Sequence, residues 1–188
     1  GFGGVWVGAA PYLMFIPDRN GDDVPDAEPE ILLDGWDPYR DTHETLNTFS
    51  WGPDGWLYGC HGVFCPSLVG KPGTPAKDRQ RVDAAIWRYH PTRHDFEVFA
   101  EGTSNPWGLD FNARGQAFIE ACVIPHFWHI IQGARYQRQG GQHYSISQEE
   151  KQRVQPFLPP NAPDHLHPFI YQDIQTHGDH VHWAGNKG

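Results

Sequence analysis

Three short aromatic segments recur along the chain, and this repeat restricts the fold more than any other feature. The segments are GVWV at 4–7, GWLY at 55–58 and GQAF at 115–118, which start 51 and 60 residues apart. A second element, EILLDG at 30–35 and FEVFAEG at 96–102, comes just before the next unit each time. Repeated units of this length that contain several strands are typical of β-propellers.

Alternating apolar and polar residues, separated by turns that contain Gly, predict strands through most of the chain. In WGPDGWLYG at 51–59, Pro, Asp and Gly suit successive positions of a tight turn. A short helix is expected only in the segment 145–158, with Ser147 as N-cap and Glu150 three residues later. We therefore expect an all-β chain, part of a propeller, with about three blade-like units at 1–46, 47–104 and 105–188. A β-sandwich whose aromatic turns recur by coincidence is the alternative.

Length and charge limit the classes of function. The chain has 188 residues, enough for one domain of ordinary size, and it begins with Gly inside an apolar run, which favours a fragment of a longer protein. No apolar run is long enough to predict a transmembrane segment. The net charge of −9 and the absence of a cluster of Lys and Arg argue against nucleic acid as a partner.

The cysteines do not form a haem-attachment motif. Cys60, Cys65 and Cys122 make no CxxC pair, and free buried thiols or a single bridge such as Cys60–Cys65 fit this count. Covalent haem c needs C-x-x-C-H, but Leu57 stands where the first Cys of a motif ending in Cys60-His61 would be. We expect no covalent haem in this segment.

Two groups of residues have the composition of metal ligands. In DRNGDDVPD, Asp18, Asn20, Asp22 and Asp26 alternate as the oxygen ligands of a Ca²⁺ loop do, although Asp23 stands where an EF-hand has Gly. An acidic, solvated turn is the alternative. Histidine is also abundant, with 12 residues, and the pattern Asp-His-x-His occurs at 164–167 and 179–182, which is compatible with a transition metal.

Five motifs together make the chain recognisable: GGVWV at 3–7, DTHE at 41–44, WGPDGWLYG at 51–59, EGTSNPWGLDF at 101–111 and RQGGQH at 138–143. With them the chain resembles the membrane-bound dehydrogenase-like domains of planctomycete and verrucomicrobial proteins, which are related to the soluble quinoprotein glucose and sorbosone dehydrogenases. The resemblance implies a six-bladed β-propeller, of which this chain would supply about three blades. It also implies a periplasmic location, or attachment to a membrane on its periplasmic side.

The resemblance implies a site for a sugar or polyol. His43 lies nine residues before Gly52, close to the spacing of the general base in the quinoprotein dehydrogenases, and histidine suits proton transfer near neutral pH. His61, Asn105, Trp107 and Arg135 are then expected to line the pocket and to bind the cofactor.

The cofactor implied by the resemblance is pyrroloquinoline quinone, together with Ca²⁺. In the related enzymes an Arg contacts the quinone, and Ser104 stands at that position here. Arg135 or Arg138 would then have to supply the cationic fork that the carboxylates of the quinone need. Electrons are expected to pass to a haem c domain elsewhere in the parent chain.

We therefore expect a dehydrogenase-like propeller that oxidises a sugar or polyol with a quinone-type cofactor. The alternative function is a non-catalytic propeller module that binds carbohydrate or protein. His43 favours the first function, and Ser104 favours the second.

Overall fold

The computed structural model describes residues 1–41, 43–122, 127–138 and 170–171. Within these residues the chain is all-β, as expected, with one short 3₁₀ helix and no α-helix. The segment 145–158, for which a helix was predicted, lies outside the described residues. In chain order the elements are β1 (Gly4–Ala9), β2 (Tyr12–Pro17), β3 (Glu30–Asp34), β4 (Phe49–Trp51), β5 (Leu57–His61), β6 (Ser67–Val69), η1 (Ala76–Asp78), β7 (Gln80–Val82), β8 (Ala85–Tyr89), β9 (Phe96–Thr103), β10 (Asn105–Phe111), β11 (Ala117–Cys122), β12 (Phe127–Ile130), β13 (Arg135–Arg138) and β14 (Ile170–Tyr171).

The strands of the described residues form several small sheets, none of which closes on itself. The first sheet has the order β1-β2-β3, and the third has the order β10-β11-β12. Between them in the chain, β4, β5, β8 and β9 form an antiparallel meander, to which β13 and then β14 add in parallel. The hairpin β6-β7 is a separate two-stranded sheet. Two strands of the segment 105–188 therefore join the sheet built by the segment 47–104.

The central sheet is buried on both faces. Successive residues of a strand point to opposite faces, and along β5 all five residues are buried. Leu57 and, on β8, Trp87 pack in one apolar core with Leu13, Leu33 and other residues of the first sheet. Tyr58 and Ile86 pack in a second core with residues of the third sheet such as Ile119 and Trp128.

This packing gives three sheet layers with the central sheet in the middle, which is a propeller-like arrangement. A sandwich of two sheets would leave one face of the central sheet exposed to solvent. Large aromatic residues occupy both interfaces. Trp87 lies in the core shared with the first sheet, with Trp6 packed against it, and Trp128 lies in the core shared with the third sheet, where their apolar surface stabilises the packing between layers.

Two members of the sequence repeat fold identically at their turns. The amide of Gly52 donates to the carbonyl of Trp56, and the amide of Gly55 donates back to Gly52. In the turn 60 residues later, the amide of Asn112 donates to the carbonyl of Gln116, and the amide of Gly115 donates to the carbonyl of Asn112. The same residue spacing therefore closes the hairpin before β5 and the hairpin before β11.

The described cysteines are free thiols, so the alternative of a Cys60–Cys65 bridge is not realised. Cys60 and Cys65 are buried, and Cys122 is exposed. Within the described part of the chain, no helix has the length and apolar character that crossing a membrane requires.

Candidate functional site

The loop between β3 and β4 holds the DTHE motif against the end of β5. The amide of Gly62 donates to the carbonyl of Glu44 at 2.7 Å, and the amide of Asn47 donates to the carbonyl of Cys60 at 3.1 Å. The amide of Glu44 in turn donates to the carbonyl of Asp41 at 3.2 Å, which closes the loop on itself. The chain is thus attached to the end of β5 at residues 44 and 47.

Asp41, His43 and Glu44 form a cluster at this position. One potential ligand atom of each side chain lies within 4.8 Å of the others, and no other such group of three His, Cys, Asp or Glu residues occurs in the described segments. Nδ1 of His43 lies 2.9 Å from Oδ1 of Asp41. The side chain of His43 is 73% exposed, so one edge of its imidazole faces solvent while the other faces Asp41.

Glu44 is the buried member of the cluster. It is only 7% exposed, and its Oε2 has no hydrogen-bond partner among the described residues. Burial, together with the smaller effect of the negative charges of Asp41 and Asp83, raises the pKa of Glu44 to about 7. Gly62 makes room for this carboxylate, because a Cβ at Gly62 would lie 2.6 Å from Oε2 of Glu44 and 2.7 Å from Oδ1 of Asn105.

Asn105 lies beside Glu44 with its amide orientation determined by its neighbours. Nδ2 of Asn47 donates to Oδ1 of Asn105 at 2.6 Å and to the carbonyl of Pro106 at 3.0 Å. The carbonyl of Pro106 can only accept a hydrogen bond, so the Asn47 atom that contacts it is the NH₂ group. The Asn105 atom that accepts from this NH₂ group is therefore the amide oxygen. The atoms near Glu44 Oε2 on this side are therefore acceptors.

Asp83 has its own cationic partners. The Nη2 atom of Arg138 lies 3.0 Å from Oδ1 of Asp83, and Nη1 of the same side chain donates to the Asp83 carbonyl at 2.6 Å. Arg81 lies 3.5 Å from Oδ2 of Asp83. These guanidinium groups compensate the charge of Asp83, and no such partner reaches Glu44 among the described residues.

His61, predicted to line the pocket, is completely buried. Its Nε2 donates to the carbonyl of Cys65 at 2.7 Å, which leaves Nδ1 as a buried acceptor without a partner among the described residues. Burial lowers the pKa of His61 to about 4. In this structure the ring braces the segment after β5 and presents no edge to solvent.

The other predicted pocket residues are spread over the start of β10 and over β13. Asn105 is buried beside Glu44, and Trp107 is 46% exposed on β10. Ser104 is completely buried. Arg135 pairs with Glu101 at 3.1 Å. The structure therefore brings Asn105 to the cluster of Asp41, His43 and Glu44, and it engages Arg135 in an ion pair within the central sheet.

These residues do not fit a pyrroloquinoline quinone. The carboxylates of that cofactor call for a guanidinium that is free to bind them. Ser104 is inaccessible, and both arginines considered as substitutes pair with carboxylates of the chain, Arg135 with Glu101 and Arg138 with Asp83. No step through a quinone follows from them.

The predicted calcium loop is exposed, and hydrogen bonds close it. Oδ1 of Asp18 accepts from the amide of Gly21 at 2.8 Å, Oδ1 of Asp22 accepts from Val24 at 2.9 Å, and Oδ2 of Asp26 accepts from Arg19 at 2.7 Å. The side chain of Asn20 donates to Asp22 at 3.0 Å. The aspartates therefore hold backbone amides of their own loop, and a Ca²⁺ ion at Asp18, Asn20, Asp22 and Asp26 stays a prediction.

Of the DTHE motif, only His43 was predicted from the sequence to have a role in the site. Asp41 and Glu44 complete the cluster, and the signal that could have identified them is the spacing of three potential ligands over four residues. Asp83 and Asn105 are far from this motif in the chain, so their position beside it depends on the tertiary structure. The two Asp-His-x-His motifs, at 164–167 and 179–182, lie outside the described residues.

Comparison with known families gives one match. A family model described as a domain of unknown function, DUF7133, matches residues 2–182. None of the curated proteins matches the chain.

Proposed function

The chain belongs to the DUF7133 family, and from this premise we propose that it is a dehydrogenase-like β-propeller segment that oxidises a hydroxyl group of a sugar or polyol. The site would lie at the loop that contains Asp41, His43 and Glu44. The proposal rests on the geometry of this loop and on the family resemblance of the sequence motifs.

For the architecture, we propose about three blades of a six-bladed ring. Two observations support this proposal: the central sheet is buried on both faces, and the first and third sheets each leave one face outside the two apolar cores. The strands β4 and β10 also contact each other. Such contact is expected if both are innermost strands that face the axis of a propeller.

The pair of Asp41 and His43 is the observation that carries the functional proposal. A carboxylate 2.9 Å from Nδ1 holds the proton of a neutral imidazole on that nitrogen. The other nitrogen, Nε2, is then an acceptor at the exposed edge of the ring. A hydroxyl hydrogen-bonded to Nε2 would lose its proton to His43, while the hydrogen on its carbon would leave with two electrons, as hydride, to a two-electron acceptor of the quinone class.

Trp107 and Asn105 would contribute to the pocket of the substrate. The exposed indole of Trp107 offers an apolar face of the kind on which a sugar ring stacks. Asn105 is held in one orientation by Asn47 and lies beside Glu44. The quinone-type cofactor, its Ca²⁺ ion, a haem c domain in the parent chain and a periplasmic location stay expectations from the family resemblance.

The test is an activity measurement on the parent protein. We would assay dye reduction on a panel of aldoses and polyols, with pyrroloquinoline quinone and Ca²⁺ added. His43→Ala is expected to lower kcat by a factor of about 10² to 10⁴, since general-base catalysis contributes about that much. Asp41→Asn should also lower kcat, because the Asn NH₂ group can donate to Nδ1 and so favour the tautomer in which Nε2 carries the proton and cannot act as a base.

The matched control is His129→Ala, which removes another exposed imidazole, on β12 of the third sheet. This variant should retain the activity of the parent protein. Absence of cofactor-dependent turnover on the whole panel, or equal activity of His43→Ala, would contradict the proposal.

A binding module for carbohydrate is the second candidate function. It is favoured by the ion pairs of Arg135 and Arg138, which leave neither guanidinium free for a quinone. A glycan that binds the inactive protein, with affinity lost in Trp107→Ala, would support this candidate against the first.

A further inference from the structure

We propose that Asp41, His43 and Glu44 bind a divalent transition-metal ion of the Zn²⁺ type. This inference goes beyond the proposed oxidation and does not depend on it, since it concerns the affinity of the three side chains for the metal alone.

The positions of the three side chains suit a single ion. Their potential ligand atoms lie within 4.8 Å of one another. Around a tetrahedral Zn²⁺ ion with bonds of about 2.0 to 2.2 Å, neighbouring ligand atoms are roughly 3.3 to 3.6 Å apart. Side-chain adjustments of about 1 Å would bring ligand atoms that lie within 4.8 Å of one another to this spacing, and the exposed His43 has the most room to move.

Glu44 supplies an independent argument for a cation. More than nine-tenths of this residue is buried, and its Oε2 has no hydrogen-bond partner in the described part of the chain. A buried carboxylate without a partner destabilises the fold, because it loses its hydrogen bonds to water and forms no hydrogen bond or ion pair in their place. The orientation of Glu44 is set by the backbone bond from Gly62 and by the packing of its side chain over that glycine.

The surroundings of Glu44 make a cation the appropriate partner. Asp41 and Asp83 are negative, and the nearby amide atom of Asn105 is an oxygen. Asp83 has ion pairs with Arg81 and Arg138. Neither Glu44 nor Asp41 has an ion pair with an Arg or Lys among the described residues, and a metal ion would supply the compensating positive charge.

The chemistry of the ligands indicates the class of metal. Two carboxylates and an imidazole form a mixed oxygen and nitrogen set, which suits Zn²⁺ and Mn²⁺, whereas Ca²⁺ takes six to eight oxygen ligands. Three ligands from the protein leave a coordination position for water or for an added ligand. The site therefore has the composition of an open zinc centre.

Metal and proton are alternatives on His43. A ring nitrogen that coordinates the ion cannot accept a proton from a substrate, so metal loading is expected to inhibit the oxidation proposed above. The two proposals can therefore fail separately, because binding is measured without substrate or cofactor and turnover is measured on protein stripped of transition metals, with only Ca²⁺ added.

The experiment is calorimetric titration of the chelator-treated chain with ZnCl₂ at neutral pH, followed by Co²⁺ substitution. We expect one site with a Kd in the micromolar range or below and a Co²⁺ spectrum typical of tetrahedral coordination. His43→Ala removes an exposed side chain, so the fold is expected to persist, and it should weaken this site at least tenfold. Glu44→Gln keeps the shape of Glu44 and should weaken the site by a similar factor.

A control variant addresses the other histidines of the chain. It replaces His165, His167, His180 and His182 by Ala, and it should retain the site. An affinity for Zn²⁺ that is unchanged in both His43→Ala and Glu44→Gln, a site lost in the control variant, or a preference for Ca²⁺ over Zn²⁺ at these residues would each overturn the inference.

Discussion

His61 is a buried histidine that can use only one of its two nitrogens. Nε2 donates to the carbonyl of Cys65, while Nδ1 is enclosed without a partner among the described residues. A charged imidazole in this position would be poorly solvated, so burial lowers the pKa of His61 from its ordinary value of 6.5 to about 4. The residue therefore links the stability of the fold to pH.

We predict that His61 destabilises the protein as the pH falls below 6.5. Its folded pKa is lower than its unfolded pKa, so the unfolded chain takes up the proton first, and stability declines until the folded pKa of about 4 is reached. The loss attributable to this residue is about 3 kcal/mol over that window. Urea unfolding at several pH values would measure it.

The comparison variant is His61→Gln, which retains a donor toward Cys65 and cannot be protonated. Glu44 contributes a slope of the opposite sign, since its raised pKa gives stability below pH 4.5 that is lost as the pH rises through about 7. The difference between the parent protein and His61→Gln isolates the histidine. If both proteins lose stability equally in acid, His61 is not the residue responsible.

Arg88 illustrates how one side chain connects a strand to the turn before β5. Its guanidinium pairs with Asp54 in that turn, at 3.1 Å, and with Glu97 on β9, and it lies 4.3 Å from the centre of the Trp56 ring. Only 12% of the side chain is exposed. Planarity matters here, because a flat group can stack on an indole while it binds two carboxylates.

We predict that Arg88→Lys lowers the free energy of unfolding by about 1 to 2 kcal/mol, since an ammonium cannot stack and bind both acids at once. The matched control is Arg93→Lys. Arg93 also lies over Trp56, at 5.0 Å, and pairs with Asp95, but more than half of its side chain is exposed. Its substitution should cost less than about 0.5 kcal/mol. Equal effects in denaturant titrations would contradict this account.

At the scale of elements, the parallel contact between β9 and β13 depends on a glycine. Gly102 has a φ of 109°, and a Cβ there would lie 2.1 Å from the carbonyl oxygen of Tyr136. The amide of Gly102 donates to the carbonyl of Ala84 on the other side. The backbone is thus enclosed between neighbouring segments, and a side chain has no space to occupy.

We predict that Gly102→Ala destabilises the fold by about 3 kcal/mol or more, because it combines an unfavourable φ with a backbone clash. Gly73→Ala separates the two causes. Gly73 also has a positive φ, of 81°, but an added Cβ would meet no atom within 4 Å. Gly73→Ala should therefore lower the free energy of unfolding by about 1 to 2 kcal/mol, the cost of the backbone strain alone. Similar losses for the two variants in thermal or urea unfolding would argue against the close approach.

At the scale of the whole molecule, the first sheet has one apolar face outside the two cores. Register pairs Val5 with Ile16, Val7 with Met14 and Met14 with Ile31, and opposed residues share a face of the sheet. Val5 is 55% exposed and Ile31 is 41% exposed. Contiguous apolar patches on a soluble domain favour association.

We predict that the chain associates through this face at concentrations of tens of micromolar or above. The double substitution of Val5→Lys with Ile31→Lys should shift the mass measured by light scattering toward that of a monomer, because two buried ammonium groups would oppose the contact. Leu68→Lys is the control, since Leu68 is comparably exposed on the β6-β7 hairpin. If only Leu68→Lys lowered the measured mass, the chains would associate through the β6-β7 hairpin and not through this face of the first sheet.

Local features were predictable because their causes are local. The turn of Gly52 to Gly55 follows from residues with suitable torsions, and the all-β character follows from alternation along each strand. The absence of a C-x-x-C-H motif is likewise a property of adjacent residues. The aromatic repeat predicted units of several strands. Two of its three members close their turns with the same backbone hydrogen bonds.

The environment of the site was not predictable, because it combines segments distant in the chain. Glu44 lies near Asp83 and Asn105 only because the three sheets pack together. From the sequence, Arg135 could have bound a ligand, but the pairing of β13 with β9 places it in an ion pair with Glu101. Likewise, the burial of His61 results from the covering of both faces of the central sheet.

By itself, the sequence determined which residues form strands, where the chain turns and which side chains are available for chemistry. The tertiary structure alone decided which of those side chains are buried, paired or exposed. The physical reason is that torsional preference and alternation act between neighbours in the chain, whereas solvation and charge pairing depend on every segment that packs nearby.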